Sequence, residues 1–167
     1  MPADTPYATR FGSLDDYEKG GVDIISDDPK HYAFSNVFEV AASARPWEKV
    51  AVAKNMQYVL EVIRADGESE WRTCAHDEFA LVMDGEVTVE LVKPPSPLVD
   101  ADTNGSIRLD GRPDGVPMGR LVLRRGHQGL LPANAAYRLS APRPSVVLLQ
   151  TILGADTVER WSEICLT

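Results

Sequence analysis

The fold is read from Phe79-Ala80-Leu81-Val82-Met83-Asp84-Gly85-Glu86-Val87-Thr88-Val89-Glu90-Leu91-Val92. Two β-rich arms, 79–83 and 86–92, flank Asp84-Gly85, the pair favoured in a two-residue type I′ turn, and this predicts a hairpin. In the second arm Val87, Val89 and Leu91 alternate with Glu86, Thr88 and Glu90, so one face is apolar and the other mostly solvated. Working outward, residues 37–40, 49–52 and 58–63 read as short strands bounded by Pro46, Asn55 and Asp66-Gly67. Strands resume at 120–123, 137–139 and 146–152. Many short strands with few helices predict an all-β sandwich or barrel.

The ends and the middle break this pattern. Residues 1–12 read as a loose tail. Ser13 and Asp16 have capping-box spacing before Tyr17 and Glu18, and Gly20-Gly21 follow, so a short helix is expected there. Asp156 is placed to cap a last helix with Val158, Trp161, Ile164 and Cys165 on one face. Residues 93–119 hold five prolines and four glycines, and only Ile107-Arg108-Leu109 looks able to pair as a strand. A loop of this length is usually functional or poorly ordered, and its composition suits a mobile lid. The expected organisation is 1–44 as tail, short helix and added strands, 45–153 as the barrel with its 93–119 insert, and 154–167 as a C-terminal helix.

Composition narrows the function. The 167 residues suit one domain, and 44% hydrophobic with 25% charged residues is ordinary for a soluble globular protein. Twenty-five acidic against 17 basic residues give a net charge of −8. That excludes the basic footprint of a duplex nucleic-acid binder, and an anionic membrane surface would repel the chain. No apolar run approaches the ~18–20 residues of a membrane span. The opening residues are polar and include Pro2 and Pro6, unlike a signal peptide. Two cysteines, Cys74 and Cys165, are too few for a disulfide scaffold, so a reducing cytoplasm is expected.

Two stretches carry a family resemblance. Glu78 followed by Gly85 matches the end of the first cupin pattern, in which a His-x-His pair precedes a Glu and then a Gly. Gly126, Pro132, Asn134 and Tyr137 match the second pattern, which ends on a third His. The chain therefore resembles the cupins over roughly residues 45–153, and the resemblance implies a double-stranded β-barrel, or jelly roll, with short terminal helices. In an active metallo-cupin three His and the Glu bind the ion. With Glu78 setting the register, the paired-His positions hold either Trp71 and Thr73 or Arg72 and Cys74, and Tyr137 takes the third. Only Glu78 survives, a poor set for a divalent transition metal. No metal and no catalytic residue is expected in this chain, and Cys74, His76, Glu78 and Tyr137 become polar candidates of the barrel lumen.

An alternative uses Cys74, His76 and Glu78, which share one face of a strand, as three ligands with His127 as a fourth. Three successive inward side chains rarely converge on one ion. The simpler reading is a buried Glu78–His76 polar pair and an inert, buried Cys74. His31 is expected to be structural, His127 exposed, and Trp47, Trp71 and Trp161 core or interface anchors. No phosphate-binding or dinucleotide glycine motif occurs.

The stretches Tyr17-Glu18-Lys19-Gly20, Asp27-Asp28-Pro29-Lys30-His31-Tyr32, Phe34 to Ala41, Glu48 to Val52 and Ala75-His76-Asp77-Glu78-Phe79 are more particular. They resemble the small, cupin-like subunit of two-component hydroquinone 1,2-dioxygenases. That resemblance implies a larger cupin-like partner that carries Fe(II), a heterotetramer, and ring opening of hydroquinone by O₂ to 4-hydroxymuconic semialdehyde. It also implies no cofactor in this chain. Tyr32, Phe34, Phe38 and Trp47 are the expected partner contacts. A stand-alone cupin enzyme or a small-molecule-binding cupin built on the Cys74/His76/Glu78 face remains the other reading.

Overall fold

The computed structural model describes residues 11–32 and 35–165. They form the all-β architecture expected from the sequence, a single sheet curled into a half-barrel with two short α-helices. The elements in chain order are α1 (Val37–Ser43), β1 (Lys49–Asn55), β2 (Tyr58–Glu68), β3 (Arg72–Thr73), β4 (Glu78–Asp84), β5 (Glu86–Lys93), β6 (Ile107–Arg108), β7 (Val116–Arg124), β8 (Gln128–Leu131), β9 (Ala136–Ile152), β10 (Thr157–Val158) and α2 (Trp161–Cys165).

The long strand β9 is the spine. Along one edge it pairs antiparallel with β2 and then β3; along the other it pairs with β4 and then β5. β8 extends β4, β7 extends β5, β1 extends β2 and β6 extends β3. Halfway along, Pro142 and Pro144 fall in a stretch where the register with β2 shifts. Proline lacks an N–H and is tolerated at such a bulge, where the strand bends. Residues Leu139, Ala141, Val147 and Leu149 then face inward from both halves and pack with Ile63, Val82, Val87, Val89 and Leu131 in the barrel core.

The expected hairpin at Asp84-Gly85 does not form. β4 and β5 do not pair with each other; both lie along β9 and run almost end to end. A type I′ turn needs positive φ at both central residues, and only Gly85 has it, at 81°. The glycine instead marks a corner against β9. A Cβ at Gly85 would stand 2.0 Å from Ser145 Oγ, which itself accepts from the Glu86 amide at 3.1 Å. The alternation read from the second arm holds, with Val87 and Val89 fully buried.

Other local expectations also change. Residues 37–40 are helical, not extended: the Asn36 side chain caps α1 by accepting from the amides of Phe38 and Glu39. Phe38, Val40 and Ala41 pack on Val50, Val52, Val62 and Val146 across the sheet's outer face. A buried, capped face outweighs β-propensity. No helix forms between Ser13 and Gly20, where Ser13 and Asp16 close a turn on each other, and no strand occurs among the described residues before 44. Thr157–Val158 adds a parallel strand to β1, so the last helix begins later, at Trp161. Asn134 sits at φ 62°, a conformation asparagine tolerates, at the position where the cupin pattern has glycine.

Candidate functional site

The lumen is lined by the inward-facing residues of β1, β2, β3 and β9 and of the segment leading into β4. Strand parity selects Arg72 and Cys74, not Trp71 and Thr73, for the lumen. Arg72 reaches Ser106 inside the barrel, whereas Trp71 packs outside against Val92 and Ala136, with the guanidinium groups of Arg112 and Arg138 within 6.0 Å of its ring centre. Glu78 opens β4 and is fully buried. Its Oε2 accepts from the Tyr137 hydroxyl at 2.6 Å and its Oε1 from the Thr151 hydroxyl at 2.7 Å. Tyr137 and Thr151 stand at opposite ends of β9, so only the bend of that strand lets one carboxylate collect both. His76 joins through Thr151, with its Nε2 3.0 Å from Oγ1, rather than contacting Glu78 as a pair. The Thr151 hydrogen is committed to Glu78, and the Ile152 amide also donates toward His76 Nε2 at 3.4 Å, which leaves the ring's Nδ1. That Nδ1 is buried with no partner.

Cys74 Sγ, a His76 ring nitrogen and a Glu78 oxygen lie within 4.8 Å of one another. The donor set fits iron poorly. Burial, with the Glu78 charge nearby, pushes the Cys74 thiol far above its ordinary range, and Sγ donates to the His76 carbonyl at 3.0 Å. Burial and the same carboxylate raise Tyr137 well above an ordinary phenol, so it stays a neutral donor. Both Glu78 oxygens are occupied. His127 is remote from this cluster in its bonding: it is exposed in the β7–β8 turn, where its Nδ1 accepts from the Arg124 amide.

Sequence reasoning missed the lumen's charged half. Lys49 and Glu61 face inward from β1 and β2, 5% and 0% exposed, and form an ion pair at 3.1 Å. Burial raises the Glu61 carboxyl against the pull of Lys49. Thr157 also donates to Glu61, at 2.6 Å. Ser106 comes from the 93–119 insert and is the hub: its Oγ accepts from Lys49 Nζ at 2.9 Å and from Arg72 Nη1 at 3.0 Å. The insert is therefore not merely a lid; β6 pairs with β3 and Ser106 is buried in the barrel mouth. Arg72 Nη2 and Arg108 Nε share Asp156 Oδ2, both at 3.0 Å. The alternation Val59, Glu61, Ile63, Ala65 along β2 was a readable signal for Glu61, because one charge stands in an apolar series. Ser106 had none, since nothing local ties it to Lys49.

The expected partner contacts separate. Phe38 lies in the outer core, stacked on Tyr17, and Trp47 is half-buried at the barrel mouth. The Tyr32 hydroxyl donates to Asp27 at 3.4 Å, beside the His31–Asp27 contact at 2.8 Å. Phe34 lies outside the described residues.

Comparison with known proteins places the chain. No family model matches it, and no curated protein does. Among solved structures, it is 52% identical to a chain of hydroquinone 1,2-dioxygenase PnpCD, in a complex with Cd²⁺ and 4-hydroxybenzonitrile. That match covers 99% of this chain and 100% of the other, with a TM-score of 0.88. It is 55% identical to a chain of the hydroquinone 1,2-dioxygenase from Sphingomonas sp. TTNP3 with 4-hydroxybenzoate bound, covering 96% and 98%, with a TM-score of 0.89. A different chain of PnpCD, from its complex with Fe³⁺, matches at 10% identity and a TM-score of 0.59, covering 88% of this chain but 42% of that one. This last likeness is one of fold.

Proposed function

This chain belongs to the hydroquinone 1,2-dioxygenase family, and we propose that it is the small accessory subunit of an Fe(II)-dependent ring-cleaving enzyme, with no iron of its own. The observation that carries the reading is the lumen. Arg72, Cys74 and Tyr137 stand at the histidine positions, and Glu78 is tied by two hydroxyl groups. A divalent ion would have to displace hydrogen bonds at both Glu78 oxygens and deprotonate a strongly raised thiol.

In this reading the reaction is that of hydroquinone with O₂, giving 4-hydroxymuconic semialdehyde with both oxygen atoms retained in the product. The iron would be held by the larger cupin-like subunit of a cytoplasmic heterotetramer and would supply the Lewis-acid and O₂ chemistry there. This chain supplies a rigid block that stabilises the partner and borders its active site. One surface favours a permanent partner. Across four adjacent strands the outer-face register runs Leu60–Gln150–Phe79–Leu130, with Tyr58 beside it, and Phe79, Leu130 and Tyr58 are all exposed. No charged side chain interrupts that row, the composition of the core of a lasting interface.

The test is reconstitution. The chain alone is expected to consume no O₂ with hydroquinone, and addition of the larger subunit should restore ring cleavage. Oxygen uptake by the isolated chain at rates like those of the complex would overturn the assignment. The Cys74–His76–Glu78 cluster supports a second reading, a metal centre in this chain. Elemental analysis after expression with added iron decides between the two. A metal-to-chain ratio near one that disappears in Glu78→Ala would establish the second.

A further inference from the structure

We propose that the barrel mouth binds a small planar molecule through a carboxylate group. Two cavities meet there. The outer one is a cleft of about 400 Å³ walled by Pro46, Trp47, Arg72, Arg108 and Val158 among others. The inner one is a void of about 20 Å³, bordered by Trp47, Lys49, Arg72 and Tyr137, with room for a single oxygen-sized atom. Trp47, Lys49 and Arg72 belong to both walls, so the void is the floor of the cleft.

Trp47 is where independent observations converge. Its φ is 64°, a left-handed conformation that costs a bulky residue about 1–2 kcal/mol. Its backbone amide is spent on the Arg64 carbonyl at 2.9 Å. Its indole Nε1 is buried and has no acceptor. Among the described residues, no other buried side-chain nitrogen or oxygen on these two walls lacks a hydrogen-bond partner. An unpartnered donor held in place by a strained backbone is a site waiting for an acceptor.

The charges around the void are already matched. Lys49 and Arg72, each more than nine-tenths buried, border it, Lys49 paired with Glu61 at 3.1 Å and Arg72 with Asp156 at 3.0 Å. The Tyr137 hydrogen is committed to Glu78, so that hydroxyl brings the void no hydrogen of its own. The acids of the cleft are held: Glu68 by Arg138, Glu70 by Arg108, Asp156 by Arg72 and Arg108, and Glu48 by Arg45 and Arg160. What remains unmet on the residues shared by the two walls is the Trp47 N–H, which suits an acceptor oxygen, an anionic one best. A carboxylate oxygen seats in the void, and the planar body lies in the cleft against Trp47, Pro46 and Val158.

Benzoate is the probe, titrated into the full chain by calorimetry, with benzyl alcohol and benzylamine as charge controls. One-to-one binding is expected, with both controls at least about tenfold weaker, the scale of a hydrogen bond to a charged group. Trp47→Phe keeps a ring and removes the N–H, and should weaken benzoate about tenfold at unchanged Tm. Should that variant misfold, the wild-type indole N–H resonance of Trp47 decides, because it must shift as benzoate saturates. No saturable binding up to roughly 10 mM, equal affinity for benzylamine, or an unmoved Trp47 resonance overturns the proposal. Ring cleavage is not read in this experiment, so its failure leaves the accessory-subunit reading untouched.

Discussion

At the scale of single residues two partly buried carboxylates, Asp156 and Asp84, tie distant segments together. Burial pushes the Asp156 carboxyl up, but Arg72 and Arg108 outweigh it and hold the group below its ordinary value of 3.8. Asp84 is also held low, since burial is outweighed by the Leu14 amide at 2.9 Å and by Arg125 at 2.6 Å. A carboxyl depressed on folding contributes stability that is present above its unfolded value and lost as pH falls through the folded one. Asp156→Asn and Asp84→Asn should therefore each cost about 1 kcal/mol near neutral pH, and the gap to wild type should close below roughly pH 3.8. Denaturant titrations at several pH values measure this. Cys74 gives a second prediction. With its thiol pushed up by burial and the Glu78 charge, it should resist iodoacetamide at pH 8 in the folded chain and react only after denaturation, as peptide mass spectrometry would show.

At the scale of elements the corner between β4 and β5 is the least replaceable point. Gly85 combines a φ of 81° with a Cβ position overlapping Ser145. Gly85→Ala should cost more than about 2 kcal/mol, through strain and through displacement of the β9 bulge. Ser145→Ala should not rescue it, because the Ser145 Cβ itself would stand 2.6 Å from the new methyl group. Thermal unfolding of the two single variants and the double variant tests both statements. Asn36→Ala is a milder lesion. It removes the cap of α1 and should cost about 1 kcal/mol without loosening the barrel core, because α1 packs on the outer face only.

For the molecule as a whole, the sheet has two outer regions of different character. The first is covered by α1 and by Leu14 and Tyr17; the second, around Phe79 and Leu130, is exposed among the described residues. A chain that works alone has little reason to leave such a row exposed, whereas a subunit covers it on assembly. Phe79→Asp and Leu130→Asp should leave the isolated chain's Tm nearly unchanged and abolish co-purification with the proposed larger subunit. Unchanged assembly in both variants would place the interface elsewhere. Among the described residues no helix is long and apolar enough to cross a membrane.

The sequence by itself determined the all-β class, the inward alternation of Val87, Val89 and Leu91, the pairing of Ile107 and Arg108, and the loss of histidine from the cupin pattern. These follow from local alternation and residue type, which survive in any packing. It misread residues 37–40, because β-branched and aromatic residues suit a strand and a buried helix alike, and Asn36 alone marked the cap. It misread Asp84-Gly85, because a turn dipeptide does not say whether the flanking strands pair with each other or with a third. Only tertiary structure could decide that β9 serves both arms and brings Tyr137 and Thr151 to one carboxylate. The same holds for the Lys49–Ser106–Arg72 junction, whose members are joined by no local pattern. A buried charge is tolerated only where distant partners meet it, and which partners meet is set by the curl of the sheet rather than by spacing along the chain.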